Sequence, residues 1–489
     1  MSKNDVMIGL EIHVQMTSLK TKLFCGCSSD YRNSPPNTNV CPVCLGLPGS
    51  LPMINKKAVE KAIQVAIALN MEISKTLSWT RKHYFYPDLP KNYQITQYDG
   101  KGVSTIAKNG YVSYTVNGNS YVARIRRINI EEDPGKILYP SGSMITSDYI
   151  LIDYNRSGIA LLEIVTEPDF KTHQQVSSFL KKLRSILEHL GIADFSLEGS
   201  MRVDVNISIG GGKRVELKNI SSIAEIENAI VYEITRQRTL LNLGREVEME
   251  TRHWDQERKV TFATRAKETE EDYRYFPDPN LPSIEISEEL VKKIRESLPE
   301  LPDKRKERFI KDYKLSEYIA SVLVSDKKLS DYFEEVMKST SIDTQKAASF
   351  IVNDVLGWIP SGDTNELNKY IPPQKIAELL EMLREGKITI KMAKELIPEL
   401  INGKSLKGAV EEKGWFEVIY SEEEILKVIE SIMNEYPEAV KDSIKDKKAV
   451  QFLVGKVLEA TNKRADPKKV YDLICKKIEK ISSKLQEDL

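Results

Sequence analysis

The sequence predicts an α+β fold, a mixed α/β body followed by helices to the end of the chain. Three observations predict it. Period-two and helical apolar patterns interleave through roughly the first 290 residues. A proline-rich stretch from Pro277 to Pro302 then changes the texture, and beyond it Lys, Glu, Leu and Ile recur at helical spacing. Glycines recur once more between Gly403 and Trp415. These breaks divide the chain into residues 1–297, 298–405 and 406–489: an α/β body, a helical connector and a small helical tail.

Within the body, strand-like runs begin at Val6, Tyr111, Ser120, Ser200 and Arg214. Helix-like runs begin at Lys56, His173 and Ala224, and the last two close on Gly191 and Gly244, as helix C-termini favour. The 29% charged and 41% hydrophobic residues are ordinary for a globular protein, and a net charge of −1 leaves no global basic field for nucleic acid. An RNA contact must then be local. Residues 441–489 carry 13 Lys or Arg against 8 Asp or Glu, which suits phosphates and equally suits a solvated helix surface. Apolar stretches fall short of the roughly 20 residues a membrane span needs. The first residues lack an apolar segment and a small-residue cleavage site, so no membrane association and a cytoplasmic location are expected.

Four of the five cysteines sit within twenty residues. Cys25 and Cys27 form one tight pair, and Cys41 and Cys44 another. Two such turns suit a tetrahedral zinc ion in the loop 25–44, and four thiolates leave no open position for catalysis. A structural Zn²⁺ is expected, against the plainer alternative of four free thiols.

Strand parity brings polar groups together. In the run from Ile8 to Gln15, Glu11 and His13 share the face opposite the apolar residues. From Met201 to Ile209 the apolar residues are odd-numbered, leaving Arg202, Asp204 and Asn206 on the other face. Glu216 and Lys218 repeat the pattern across a glycine turn, Gly210 to Gly212. One register sets Asp204 beside Lys218 and Asn206 beside Glu216. A solvated sheet face carries such patterns too. Glu131, Glu132 and Asp133 crowd a strand end, where a cation such as Mg²⁺ would relieve their repulsion. Neither a Walker A loop nor a Gly-x-Gly-x-x-Gly turn is present. Two segments, Arg81–Asp88 and Tyr273–Asp278, place cations beside aromatic rings before Pro-Asp; such rings can clamp a nucleotide or simply build a corner.

The ordered motifs GLEIHVQ, RKHYFYPDLPKNYQITQYD, IEEDPGK, DYNRSGIALLEIVTEPD, SMRVDVNIS, VELKNI and DYRYFPDPNLP resemble the B-subunit family of the GatCAB aspartyl/glutamyl-tRNA(Asn/Gln) amidotransferases. QFLVGKVLEAT and ADPKKV extend the resemblance into a YqeY-like tail. The related archaeal GatE form carries an inserted domain for which this chain has no room. The resemblance implies a cradle-like catalytic body with a mainly antiparallel sheet. It implies ATP-dependent phosphorylation of the side-chain carboxylate of Glu-tRNA(Gln) or Asp-tRNA(Asn), then amidation with ammonia from a partner A subunit. A C subunit completes the implied heterotrimer. Metal-binding positions match Glu11, His13, Glu131 and Glu132, with a second site at Asp204 and Glu216. Glu11, His13, Asp204 and Glu216 are the implied catalytic groups. Arg81, Lys82, Arg202, Lys218 and Asn219 match positions around the phosphates. Many members of the family lack the four cysteines, which fits a structural zinc.

Three rivals are weaker. An RNA-binding protein without catalysis predicts a basic face, yet the motif-bearing face is rich in carboxylates. A self-contained glutamine-dependent synthetase needs an amidase signature or a spare catalytic cysteine, and Cys475 in its Lys-rich surroundings offers neither. A metallohydrolase built on Glu11 and His13 lacks a three-ligand spacing.

Overall fold

A computed structural model describes residues 5–98, 100, 104–142, 147–220, 222–266, 272–360, 364–413, 415, 422–445, 449–461 and 465–487, with backbone alone at 219, 264–266, 444–445 and 482–487. The chain divides into two compact units, Met1–Arg305 and Lys306–Leu489.

Among the described residues, sixteen strands belong to the first unit. In chain order they are β1 (Val6–Gln15), β2 (Glu72–Ile73), β3 (Thr76–Leu77), β4 (Thr80–His83), β5 (Tyr93–Thr96), β6 (Ala107–Val116), β7 (Asn119–Glu132) and β8 (Lys136–Leu138). There follow β9 (Leu151–Asp153), β10 (Ala160–Thr166), β11 (Met201–Ile209), β12 (Val215–Ile220), β13 (Glu250–Asp255), β14 (Val260–Ala266), β15 (Phe276–Pro277) and β16 (Ile284–Glu285). Nine of them form one sheet in the order β14-β13-β12-β11-β1-β10-β7-β6-β2. Every neighbouring pair is antiparallel except β12 and β13. The sheet is thus mainly antiparallel, as expected.

The amino-terminal strand lies in the middle because its alternation suits a sheet with one dry face. Ile8, Leu10, Ile12 and Val14 are buried, as are Val203, Val205 and Ile207 of β11 beside them. Three helices cover that face: α1 (Lys56–Ala68), α2 (His173–His189) and α3 (Ile223–Asn242). Asn55 caps α1 by accepting from the Lys57 amide, and Thr172 caps α2 by accepting from that of Gln175. Their buried sides, including Ile63, Phe179, Leu183 and Ile230, join the strands in one core. A large dry core on one face leaves the other face free for polar groups.

The β11–β12 hairpin turns where Gly210 and Gly211 both take positive φ, at 62° and 77°, a backbone that side chains disfavour. Its register sets Asn206 opposite Glu216, as parity predicts. The pairing then shifts between Val203 and Val205, so that Lys218 and Asn219 together oppose Asp204. This bulge lets Val215, Leu217 and Ile220 all face the core despite an odd step between the last two.

A second, three-stranded sheet runs β15-β4-β5 and carries the two aromatic segments side by side, with Phe276 opposite Arg81. The second unit is helical. One apolar cluster, with Phe333, Val355, Leu380 and Leu396, gathers helices from Glu317–Val324 to Leu406–Glu412. A separate cluster, with Ile429, Leu453 and Ile474, gathers Glu422–Glu435, Val450–Ala460 and Pro467–Glu487. Leu406, Ala409 and Val410 pack within the former cluster. No helix among the described residues is long and apolar enough to cross a membrane.

Candidate active site and thiol cluster

The open face of the large sheet holds a row of ionisable groups over adjacent strands. Glu11 and His13 come from β1, Glu131 from β7, Glu163 from β10, Arg202 and Asp204 from β11, and Glu216 and Lys218 from β12. Register places Glu11 opposite Asp204 and His13 opposite both Arg202 and Glu163. His13 Nε2 lies 3.6 Å from Glu11 Oε1 and 3.4 Å from Glu131 Oε1. Glu11, His13 and Glu163 each present a ligand atom within 4.8 Å of the others, a spacing at which one cation can bridge them. Glu11, Glu131, Glu163, Glu216 and Lys218 of this row line a cavity of about 670 Å³, together with Lys82, Arg127, Asn129, Tyr98 and Tyr275 among others.

Burial and mutual repulsion set the charges. Burial, then the neighbouring charges of Glu11 and Glu131, pushes the Glu163 carboxyl up to about 7. Burial also raises Glu131, against the pull of Lys82. Glu11 is pushed up by burial, but Lys218, His13 and Lys82 outweigh it and hold the group at about 2. Glu131 and Glu163 are thus disfavoured as anions while Glu11 is held ionised, an imbalance that a bound cation would relieve.

The other half of the row is neutralised from within. Lys218 Nζ donates to Asp204 Oδ2 at 2.6 Å and lies 3.5 Å from Glu216 Oε1. Burial pulls this ammonium down, yet Asp204, Glu11 and Glu216 raise it overall, so it stays charged. Thr251 Oγ1 donates to Glu216 Oε2 at 3.1 Å. The Asn219 side chain lies outside the described residues.

Strand alternation separates neighbours that the sequence joins. Glu132 turns from Glu131 to the opposite side, where Lys91 Nζ reaches it at 2.5 Å and the Ile95 amide donates at 2.8 Å. Lys82 enters the cavity, its ammonium 4.6 Å from the Tyr273 ring centre and 5.8 Å from that of Tyr84. Arg81 points the other way, donating to Asp278 at 2.7 Å with its guanidinium 4.2 Å from the Tyr93 ring centre. Arg202 donates to Asp133 Oδ1 at 2.6 Å, and Gln15 donates to Oδ2 at 2.7 Å. The structure thus brings together Glu11, His13, Glu131, Asp204, Glu216, Lys82 and Lys218; Glu132, Arg81 and Arg202 have partners of their own.

Glu163 was missed from residue patterns. It sits in Ala160–Thr166, a strand buried along almost its whole length, so alternation gives it no polar face. Its signal was a lone acid inside an apolar run, since an unpaired buried charge is costly.

The four cysteines converge elsewhere. Cys25, Cys27, Cys41 and Cys44 present their sulfurs within 4.8 Å of one another, the donor set and closeness that a tetrahedral soft-metal site needs. The Cys41 amide donates to Cys44 Sγ at 3.1 Å. Hydrogen bonding from Cys25 leads the effects that lower the Cys44 thiol to about 4, while burial leads those that raise Cys27 to about 11. Lys22, fully buried, lies 3.6 Å from Cys44 Sγ and donates to the Asn39 carbonyl, supplying positive charge beside the one thiol that is lowered.

The family model described as the GatB/GatE catalytic domain matches residues 6–292, and that of the GatB domain matches 331–478. A Sulfurisphaera tokodaii protein, named as the B subunit of aspartyl/glutamyl-tRNA(Asn/Gln) amidotransferase, is 52% identical, the match covering 96% of this chain and 99% of that one. Proteins of the same name from Saccharolobus solfataricus and Carboxydothermus hydrogenoformans are 51% and 41% identical, covering 97% and 98% of this chain and 99% and 100% of theirs.

Proposed function

Because the chain belongs to the GatB/GatE family, we propose that it is the B subunit of a glutamine-dependent tRNA amidotransferase, a ligase that turns a tRNA-bound acidic residue into its amide. Its substrates are Glu-tRNA(Gln), Asp-tRNA(Asn) or both. The observation that carries the proposal is the row of carboxylates and lysines bordering one cavity on the open face of the sheet.

A carboxylate is a poor acyl donor. In the proposed first step an oxygen of the substrate's side-chain carboxylate attacks the terminal phosphorus of ATP and ADP leaves. In the second, ammonia released from glutamine on an A subunit attacks the acyl carbon, inorganic phosphate leaves and one proton is lost. Phosphoryl transfer rests on positioning and charge neutralisation rather than on a protein nucleophile. Lys82 and Lys218 supply fixed positive charge at the cavity wall. The tyrosines around Lys82 hold its ammonium away from bulk water. Glu11, His13, Glu131 and Glu163 would hold Mg²⁺, which neutralises phosphate charge when bound. A second ion at Asp204 and Glu216 requires Lys218 to move, since its ammonium stands between them. Zn²⁺ on the four cysteines would be structural. A and C subunits as partners, tRNA contact by the tail and a cytoplasmic location complete the proposal.

The test is to purify the chain with candidate A and C subunits and supply ATP, Mg²⁺, glutamine and each mischarged tRNA. Amide formed by wild type and lost with Asp204→Ala plus Glu216→Ala is expected, and the tRNA that works names the substrate. A stable complex that binds ATP but forms no amide with either tRNA overturns the catalytic reading in favour of an RNA-binding role.

A further inference from the structure

Most of the cations matched to the phosphates already have anions. Arg81 is held by Asp278, Arg202 by Asp133, and Lys218 by Asp204 and Glu216. Lys82 is surrounded by tyrosine rings. Arg127, a cavity-lining residue outside that set, differs from them: its charge is felt by Glu163, but it forms no ion pair among the described residues. Its Nε is buried and has no hydrogen-bond partner among the described residues. Buried guanidinium donors are costly to leave unmade, so nearly all are satisfied in native proteins, and an orphan calls for an explanation. Two residues along the same strand face, Asn129 gives its Nδ2 hydrogen to Glu163 Oε2 at 2.5 Å. That leaves its Oδ1 buried and likewise without a partner. One orphan is a donor and the other an acceptor, and both border the same cavity as Glu11 and Lys218.

We propose that Arg127 and Asn129 form a ligand-reading pair, in which Arg127 grips an oxyanion of the reacting substrate and Asn129 Oδ1 accepts from an N–H or O–H of the bound group. The proposal rests on the amidotransferase reading and extends it to two residues. A planar guanidinium suits paired oxygens of either a phosphate or a carboxylate. The oxyanion therefore belongs to the ATP phosphates or to the acidic side chain on the tRNA, and separate measurements tell these apart.

The test uses the complete heterotrimer with Arg127→Gln, Arg127→Lys and Asn129→Ala. Amide formation by Arg127→Gln is expected to fall by roughly 100-fold, the scale seen when one oriented oxyanion donor is removed, with Arg127→Lys recovering part of it. A KM rise for ATP alone assigns the phosphates; a rise for the aminoacyl-tRNA alone assigns the carboxylate; a loss confined to kcat assigns the group only as it reacts. Thermal stability separates ligand reading from scaffolding. A guanidinium whose Nε meets no protein group, and which reaches Glu163 only through space, contributes little to the fold, so the Tm of Arg127→Gln should stay within a few degrees of that of wild type. Activity within threefold of wild type, or a Tm lower by several degrees with every constant degraded together, overturns the proposal. If the wild-type complex makes no amide, the functional reading fails by itself. Equilibrium dialysis of ATP and filter binding of the aminoacyl-tRNA to wild type and Arg127→Gln then still decide the pair: weaker binding of either supports it, and unchanged binding of both overturns it.

Discussion

Asp133 carries more of the site's architecture than its place at the end of an acidic run suggests. Its carboxylate is fully buried, yet Arg202 on one side and Arg156 on the other outweigh the burial and hold it below the usual carboxylate range. A depressed carboxyl contributes stability above its unfolded pKa, which is lost as pH falls through that value toward the folded one. Asp133→Asn strands the Arg202 guanidinium and removes the counter-charge of Arg156, which still donates to the Pro134 and Gly135 carbonyls, and is expected to cost about 3 kcal/mol near pH 7. The difference from wild type should shrink to nothing as pH drops below the ordinary carboxylate range, which urea unfolding at neutral and acidic pH will measure. Parity alone made Glu11, His13, Asp204 and Glu216 legible, because each lies on a strand with one dry face. It could not find Glu163, whose strand is dry on both sides, nor the partners of Arg81 and Arg202, which come from residues far away in sequence.

The thiol loop can be tested as an element. Two tight cysteine turns were readable from spacing, and their sulfurs meet. If zinc pins residues 25–44, the purified protein contains one zinc per chain by elemental analysis. Cys25→Ser plus Cys41→Ser should abolish it, lower Tm by at least about 5 °C, and open the loop to proteolysis before the rest of the body. Full zinc in the double variant, or an unchanged Tm, counts against a structural ion. The hairpin was equally legible from its glycines and alternation, with the register right at Asn206 and Glu216. Its bulge was not, since an extra residue leaves the strand-like composition unchanged and only the partner strand reveals it. That bulge sets Lys218 and Asn219 together against Asp204, so the geometry around the lysine depends on a feature that side-chain patterns do not carry.

At the scale of the molecule, the change from mixed body to helices was plain in the composition, whereas the strand order was not. Nothing in an isolated strand says which neighbours it will choose. The connector and tail remain a proposed division. Separate apolar clusters on either side of residues 416–421 predict that a chain ending at 420 keeps the unfolding transition of what precedes it. If the tail's basic residues meet the tRNA, that truncation should raise the KM for aminoacyl-tRNA roughly tenfold, with the effect fading at high salt. An unchanged KM would remove the tail from recognition. The central place of β1 also bears on how the protein is made. Its hydrogen-bonding edges wait for β10 and β11, whose residues lie roughly 150 to 200 positions later. At ordinary rates of synthesis that delay is on the order of 10 to 40 s. Through it, the segment bearing Glu11 and His13 leaves the ribosome as an apolar strand with both edges open. The segment that carries Glu11 and His13 thus settles only after about 200 further residues have followed it, and until then its open edges are free to pair elsewhere.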